Sequence, residues 1–123
     1  MPSVLVVDDQ AEVRRLIRDT LVEAGYDVDE ARDGKEELER YRTKSAAVVL
    51  MDILMPDQEG LEGIMTLRRE FPDARIVAMT GGSDGIGVLD FLDVVRMLGA
   101  RRTLHKPFDL QALRDAVAAE VMV

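Results

Sequence analysis

The sequence predicts an α/β domain, a doubly wound five-stranded parallel sheet with helices on both faces. Three observations carry this expectation. Short runs of apolar residues recur along the chain, as strands buried on both faces require. Each run is followed by a segment with apolar residues at helical spacing, and the links are short. The 123 residues suit one domain, long enough to bury a core without disulfides or metal staples.

Val4 to Val7 is the first strand. Residues 11–24 place Val13, Leu16, Ile17 and Leu21 on one face of a helix, which Gly25 ends. Tyr26 to Asp29 is a weaker strand, expected at a sheet edge. Asp33-Gly34 turns into a charged helix around Glu36 to Arg42. Its buried side carries Leu38 and Tyr41, and its acidic and basic residues form a solvated face. Ala46 to Met51 is the third strand and is strongly apolar. Ile64, Leu67 and Arg68 belong to a third helix, closed by Phe71-Pro72. Arg75 to Met79 is the fourth strand, Ile86 to Leu98 a helix, and Arg101 to Leu104 the fifth strand. Asp109 caps a last helix that runs to Met122. No repeat, linker or low-complexity run interrupts this alternation, so residues 1–123 read as one domain.

Composition excludes several functions. A net charge of −8 argues against a nucleic-acid surface, because neutralising phosphates needs clustered Lys and Arg. No basic face suits anionic lipid. The absence of cysteine removes disulfides, thiolate metal sites and cysteine nucleophiles together. The N-terminus MPSVLVVDD runs into acid after a short apolar run and is no signal peptide. No stretch approaches the ~20 apolar residues that span a membrane. A soluble cytoplasmic domain is expected.

In open parallel sheets, chemistry gathers at the carboxyl ends of the strands, where strand order reverses. Here those ends carry Asp8-Asp9, Asp52, Thr80 and Lys106-Pro107. Three clustered carboxylates repel one another, so a hard divalent cation is their natural neutraliser. Oxygen-only ligands favour Mg²⁺. A carboxylate beside such a cation can act as a nucleophile on phosphorus. A hydroxyl and an ammonium opposite it would stabilise phosphoryl oxygens by positioned charge. Taken singly, Asp8-Asp9 reads as a solvated turn and Lys106 as a surface lysine. Asp52, however, lies inside the apolar run LMDILM, where a carboxylate is costly without a partner or an ion. His105 is a solvent-edge side chain with no catalytic role, and the seven methionines are gap-fillers of the core.

At these positions the chain resembles the receiver domain of two-component response regulators over nearly its whole length. The matching segments are VLVVDDQ (4–10), VVLMDILMPDQEG (48–60), VAMTG (77–81) and LHKPFDL (104–110). One Asp-Asp pair is weak evidence, but the ordered set at these spacings is highly specific. The resemblance implies a flavodoxin-like fold with strand order 2-1-3-4-5. It implies phosphorylation of Asp52 by a kinase phosphohistidine, with Mg²⁺ held by Asp9, Asp52 and the Leu54 backbone carbonyl, and by Asp8 mainly through water. Lys106 would pair with the phosphoryl group, Thr80 would reorient to hydrogen-bond it, and Gly81 would offer a backbone N–H. A cis Lys106–Pro107 bond is also implied. The expected partners are a sensor histidine kinase or a histidine phosphotransfer protein. A downstream protein or a second copy could dock on the face formed by the helix over 86–98, the fifth strand and the last helix.

Other readings of the same residues fit less well. From Thr80 the segment TGGSDGIG matches the glycine-rich T-G-x-x-x-G-I-G signature of short-chain dehydrogenases, whose glycines admit a pyrophosphate. That motif belongs after the first strand, with a Tyr-x-x-x-Lys pair beyond it. Here it follows the fourth strand, and Tyr41-Arg42-Thr43-Lys44 precedes it with the wrong spacing. A phosphatase with an aspartyl nucleophile wants Asp-x-Asp on the first strand, which Asp8-Asp9-Gln10 does not supply. A degenerate receiver acting only as a phosphorylation-independent docking module is opposed by the intact Asp8, Asp9, Asp52, Thr80 and Lys106.

Three departures from the usual receiver pattern stand out. Thr103 occupies the position, three before Lys106, where an aromatic usually accompanies the rotation of the Thr. Glu59-Gly60 replaces the common Asp-Gly. The segment from Thr80 to Gly99 is a few residues longer than usual, and four of its glycines fall between Gly81 and Gly87. Glycine has the most conformational freedom to lose on ordering, so residues 81–87 are expected to be mobile and to order on phosphorylation. No output domain is expected after the last helix, which leaves a stand-alone regulator, a fragment, or the receiver of a hybrid kinase.

Overall fold

The computed structural model describes residues 2–52, 59–81, 100–106 and 109–121. Within them lie five strands, β1 (Ser3–Val7), β2 (Asp27–Ala31), β3 (Val48–Asp52), β4 (Ile76–Gly81) and β5 (Arg102–Lys106). Four helices accompany them, α1 (Ala11–Glu23), α2 (Gly34–Thr43), α3 (Glu59–Glu70) and α4 (Leu110–Val121). The strands are all parallel, in the order β2-β1-β3-β4-β5. The chain starts in the interior of the sheet and reverses direction between β1 and β3, which makes a switch point there. The expected helix over Ile86 to Leu98, the glycine loop beyond Gly81, Leu54 and Pro107 lie outside the described residues.

Strand alternation divides the core into two layers. Val4, Val6, Val48, Leu50, Val77 and Met79 face α1 and α4, meeting Ile17, Leu21, Leu113 and Val117. Leu5, Val7, Val49, Met51, Ile76 and Ala78 face α2 and α3, meeting Tyr41 and Leu67. All five residues of β3 are buried, as a central strand covered on both faces requires. The edge strand β2 instead alternates between exposed and covered positions before ending in buried Ala31.

Helix ends follow the local chemistry. The α1 helix closes in a Schellman motif: Gly25, at φ 99°, donates to Val22 O at 3.0 Å, and Tyr26 N donates to Leu21 O at 3.0 Å. Asp33 caps α2 by accepting from Glu36 N at 2.8 Å. Asp109 caps α4 by accepting from Ala112 N at 2.6 Å.

Two expectations about helix faces are corrected. Leu16 is 55% exposed, and the inward position beside Ile17 and Leu21 belongs to Thr20. Thr20 can be buried because its hydroxyl donates to Leu16 O at 2.8 Å, leaving no unmet polar group. The second correction concerns α2, whose charged residues do not all lie on a solvated face. Glu37 is 0% exposed, beside Gly34 and Tyr41 on the buried side.

Candidate functional site

The switch point sets the site. Val7 pairs with Met51, so the next residues along each strand, Asp8 and Asp52, emerge side by side at the carboxyl ends of β1 and β3. Asp8 N still donates to Ala31 O of β2 at 3.1 Å, which holds the strand end before the chain turns. The Asp8 side chain then accepts from Gln10 N at 2.9 Å, and that turn delivers Asp9 to the same rim and starts α1. Asp8 and Asp52 are 0% and 5% exposed, whereas Asp9 is exposed. One carboxylate oxygen from each of the three lies within 4.8 Å of the other two.

The three candidate ligand atoms are all carboxylate oxygens, with one residue open to solvent and two sheltered. Such a set fits a hard divalent cation that keeps several waters better than a soft or nitrogen-seeking metal.

Sequence reasoning passed over the support behind this rim. Arg14 of α1 donates from Nη1 to the backbone carbonyl of Asp8 at 2.7 Å and from Nε to Glu30 Oε1 at 3.1 Å. Arg18, one turn on, donates to Glu30 Oε2 at 2.9 Å. Glu30 on β2 thereby ties the first two turns of α1 to the sheet and orients the guanidinium that grips the end of β1. The available signal was an acid on a weak edge strand and two arginines four apart on the preceding helix.

The remaining predicted residues are placed by strand register. Asp52 pairs with Met79, so Thr80 is the next residue of β4, and Thr80 and Gly81 pair with His105 and Lys106 of β5. Asp52, Thr80, Gly81 and Lys106 therefore end three adjacent strands on the rim that also carries Asp8 and Asp9. Thr103 is half-buried on β5 opposite Ala78, two residues before Thr80 in the ladder. The site thus spans the ends of β1, β3, β4 and β5.

A family model for the response regulator receiver domain matches residues 4–118. The chain belongs to this family. This receiver is 31% identical over 115 residues to the chemotaxis protein CheY of Thermotoga maritima, across 93% of the chain and 92% of that protein. It is 31% identical over 115 residues to sporulation initiation phosphotransferase F of Bacillus subtilis, across 94% of the chain and 90% of that protein. Among solved structures, Vibrio cholerae chemotaxis protein CheY4 superposes with a TM-score of 0.87 at 28% identity, covering 97% of this receiver and 98% of that chain. The fold is the flavodoxin-like one of these receivers, and the family places the chain in two-component signalling. Receiver domains are signalling phosphoacceptors rather than classical enzymes, and they work with histidine kinases and downstream effectors. Among the described residues of this receiver, no helix is long and apolar enough to cross a membrane.

Proposed function

We propose that this chain works as one receiver unit, a phosphorylation-activated switch whose phosphoacceptor is Asp52. The observation that carries the reading is the grouping of Asp8, Asp9 and Asp52 within 4.8 Å at the switch point of a receiver fold. The donor is a phosphohistidine on a sensor kinase or a histidine phosphotransfer protein. A carboxylate oxygen of Asp52 attacks the phosphorus, the P–N bond breaks, and the leaving imidazole nitrogen keeps the electron pair. Asp8, Asp9, Asp52 and the Leu54 carbonyl would hold Mg²⁺, which when bound neutralises carboxylate and phosphoryl charge.

The chain's own residues supply the rest. Lys106 gives a fixed positive charge for the phosphoryl oxygens, and Thr80 and the Gly81 N–H give hydrogen-bond donors. Arg14 holds the Asp8 carbonyl and keeps the end of β1 in register with β3. Thr103 replaces the usual aromatic on β5, so Thr80 moves without a coupled ring, and the link after Gly81 takes a larger share of the switch. A downstream protein or a second copy would meet the face that includes β5 and α4. The site works in the cytoplasm, where histidine kinases present their phosphohistidine.

Beryllofluoride titrated with and without Mg²⁺, followed by backbone NMR, tests the reading. Shifts at Asp52, Thr80, Gly81 and Lys106 that require Mg²⁺ are expected, and Asp52→Asn removes them. A parent chain whose spectrum ignores beryllofluoride in the presence of Mg²⁺ is a docking module instead.

A further inference from the structure

Away from the acidic rim, one buried carboxyl has no counterpart. Glu37 of α2 is 0% exposed, and neither of its carboxyl oxygens has a hydrogen-bond partner. It lies in the seam where α2 meets α3. A Cβ built on Gly63 of α3 would stand 3.2 Å from Glu37 Oε1 and 3.5 Å from the Gly34 Cα, and it would collide with Met51 Cε. Two glycines, one on each helix, therefore leave the space that the glutamate fills. Above them runs a groove of about 290 Å³ lined by Gly34, Lys35, Leu38, Glu62, Gly63 and Thr66.

Charged groups on the surrounding elements do not rescue this carboxyl. On α2 these are Lys35, Glu36, Glu39, Arg40 and Arg42, with Glu36 held by Arg32 at 2.6 Å and Arg42 held across the seam by Glu70 of α3 at 2.6 Å. Among the described side chains of α3 they are Glu62, Arg68, Arg69 and Glu70, and the Arg68 guanidinium donates to Pro72 O. On β2 they are Asp27 and Asp29, and Asp27 pairs with Lys44 at 2.6 Å. From β1 come the apolar Leu5 and Val7. Among the described residues none donates to Glu37. A buried ion without partners is strongly unfavourable, so the closed seam requires the neutral acid.

We propose that Glu37 is a proton-controlled latch between α2 and α3, neutral when the helices close on Gly34 and Gly63 and opening the seam to water when it ionises. Burial alone pushes its pKa up from 4.5 to about 8, so the latch responds within the range a cell can reach. In the open seam the carboxyl regains an ordinary affinity for protons. Opening therefore becomes roughly tenfold more populated per pH unit between about 4.5 and 8, and levels off above. The groove over Gly34 and Gly63 gives water its entry. The inference stands apart from the phosphoacceptor reading and uses none of its residues.

The test is a pH titration of the full chain, isotope-labelled at glutamate carboxyls and read by NMR. A Glu37 midpoint near pH 8 is expected, and one in the ordinary carboxylate range would overturn the latch. Amide exchange in α2 and α3, corrected for intrinsic rates, supplies the second readout. Protection should fall about tenfold per pH unit between pH 6 and 8 in the parent and stay level in Glu37→Gln. Equal pH dependence in the two chains would refute the latch. The parent titration decides the matter even if a variant does not fold.

Discussion

At the scale of single residues, the acidic rim and Glu37 are opposite solutions to the cost of a sheltered carboxyl. Asp8, Asp9 and Asp52 stand close enough that, without a cation, each raises the cost of the others' charge. Removing one charge should relieve this. Asp9→Asn is expected to stabilise the metal-free chain by about 1 kcal/mol, a few degrees in Tm, because Asp9 is exposed and the repulsion partly screened. Mg²⁺ should raise the parent's Tm more than the variant's, since a ligand that prefers the native state stabilises it. A lower metal-free Tm for Asp9→Asn would mean that the three carboxylates are not clustered. For Glu37 the sign is reversed. The folded state holds its proton more tightly than the unfolded one, so its contribution is complete below about pH 4.5 and is lost as pH rises towards 8. Glu37→Gln should match the parent in acid and gain on it by up to about 1.4 kcal/mol per pH unit, on the order of 3 kcal/mol at neutral pH. Chemical denaturation at several pH values measures this, and a constant difference would be the contrary result.

At the scale of elements, Gly25 isolates a backbone effect. Its φ of 99° favours glycine, and a Cβ there would meet nothing within 4 Å. Gly25→Ala should therefore cost about 1 kcal/mol of stability through backbone strain alone, with no change in packing. Urea denaturation should show a lower midpoint at an unchanged slope. The end of α1 was legible in the sequence because Gly25 follows the last apolar residue of the helical pattern. The faces of α1 and α2 were less so. Periodicity favours Leu16 over Thr20 because it ranks residues by side-chain polarity, and it cannot see that the Thr20 hydroxyl is satisfied inside the helix. It sends Glu37 outward for the same reason. Only the third dimension shows Gly63 opposite, and a glycine on another helix leaves no mark on the spacing of α2. Strand lengths also moved: β4 and β5 run on through Gly81 and Lys106, because their ladder continues past the apolar cores from which the strands were read.

At the scale of the whole molecule, the parallel order β2-β1-β3-β4-β5 turns four scattered sequence motifs into one rim. This much was readable from sequence, since strands in a βα alternation all deliver their carboxyl ends to the same side. The brace behind the rim was not. Arg14 and Arg18 find Glu30 only once β2 lies against α1, and no spacing rule joins residues from an edge strand and a preceding helix. The proposed task of this assembly is to direct a phosphoryl group onto Asp52. Its most direct test is incubation of the chain with acetyl phosphate and Mg²⁺, followed by intact mass and peptide mapping. One base-labile, hydroxylamine-sensitive phosphoryl group is expected on the peptide containing Asp52, dependent on Mg²⁺ and absent from Asp52→Ala and Asp52→Asn. Full labelling of those variants, or no labelling of the parent, would contradict it.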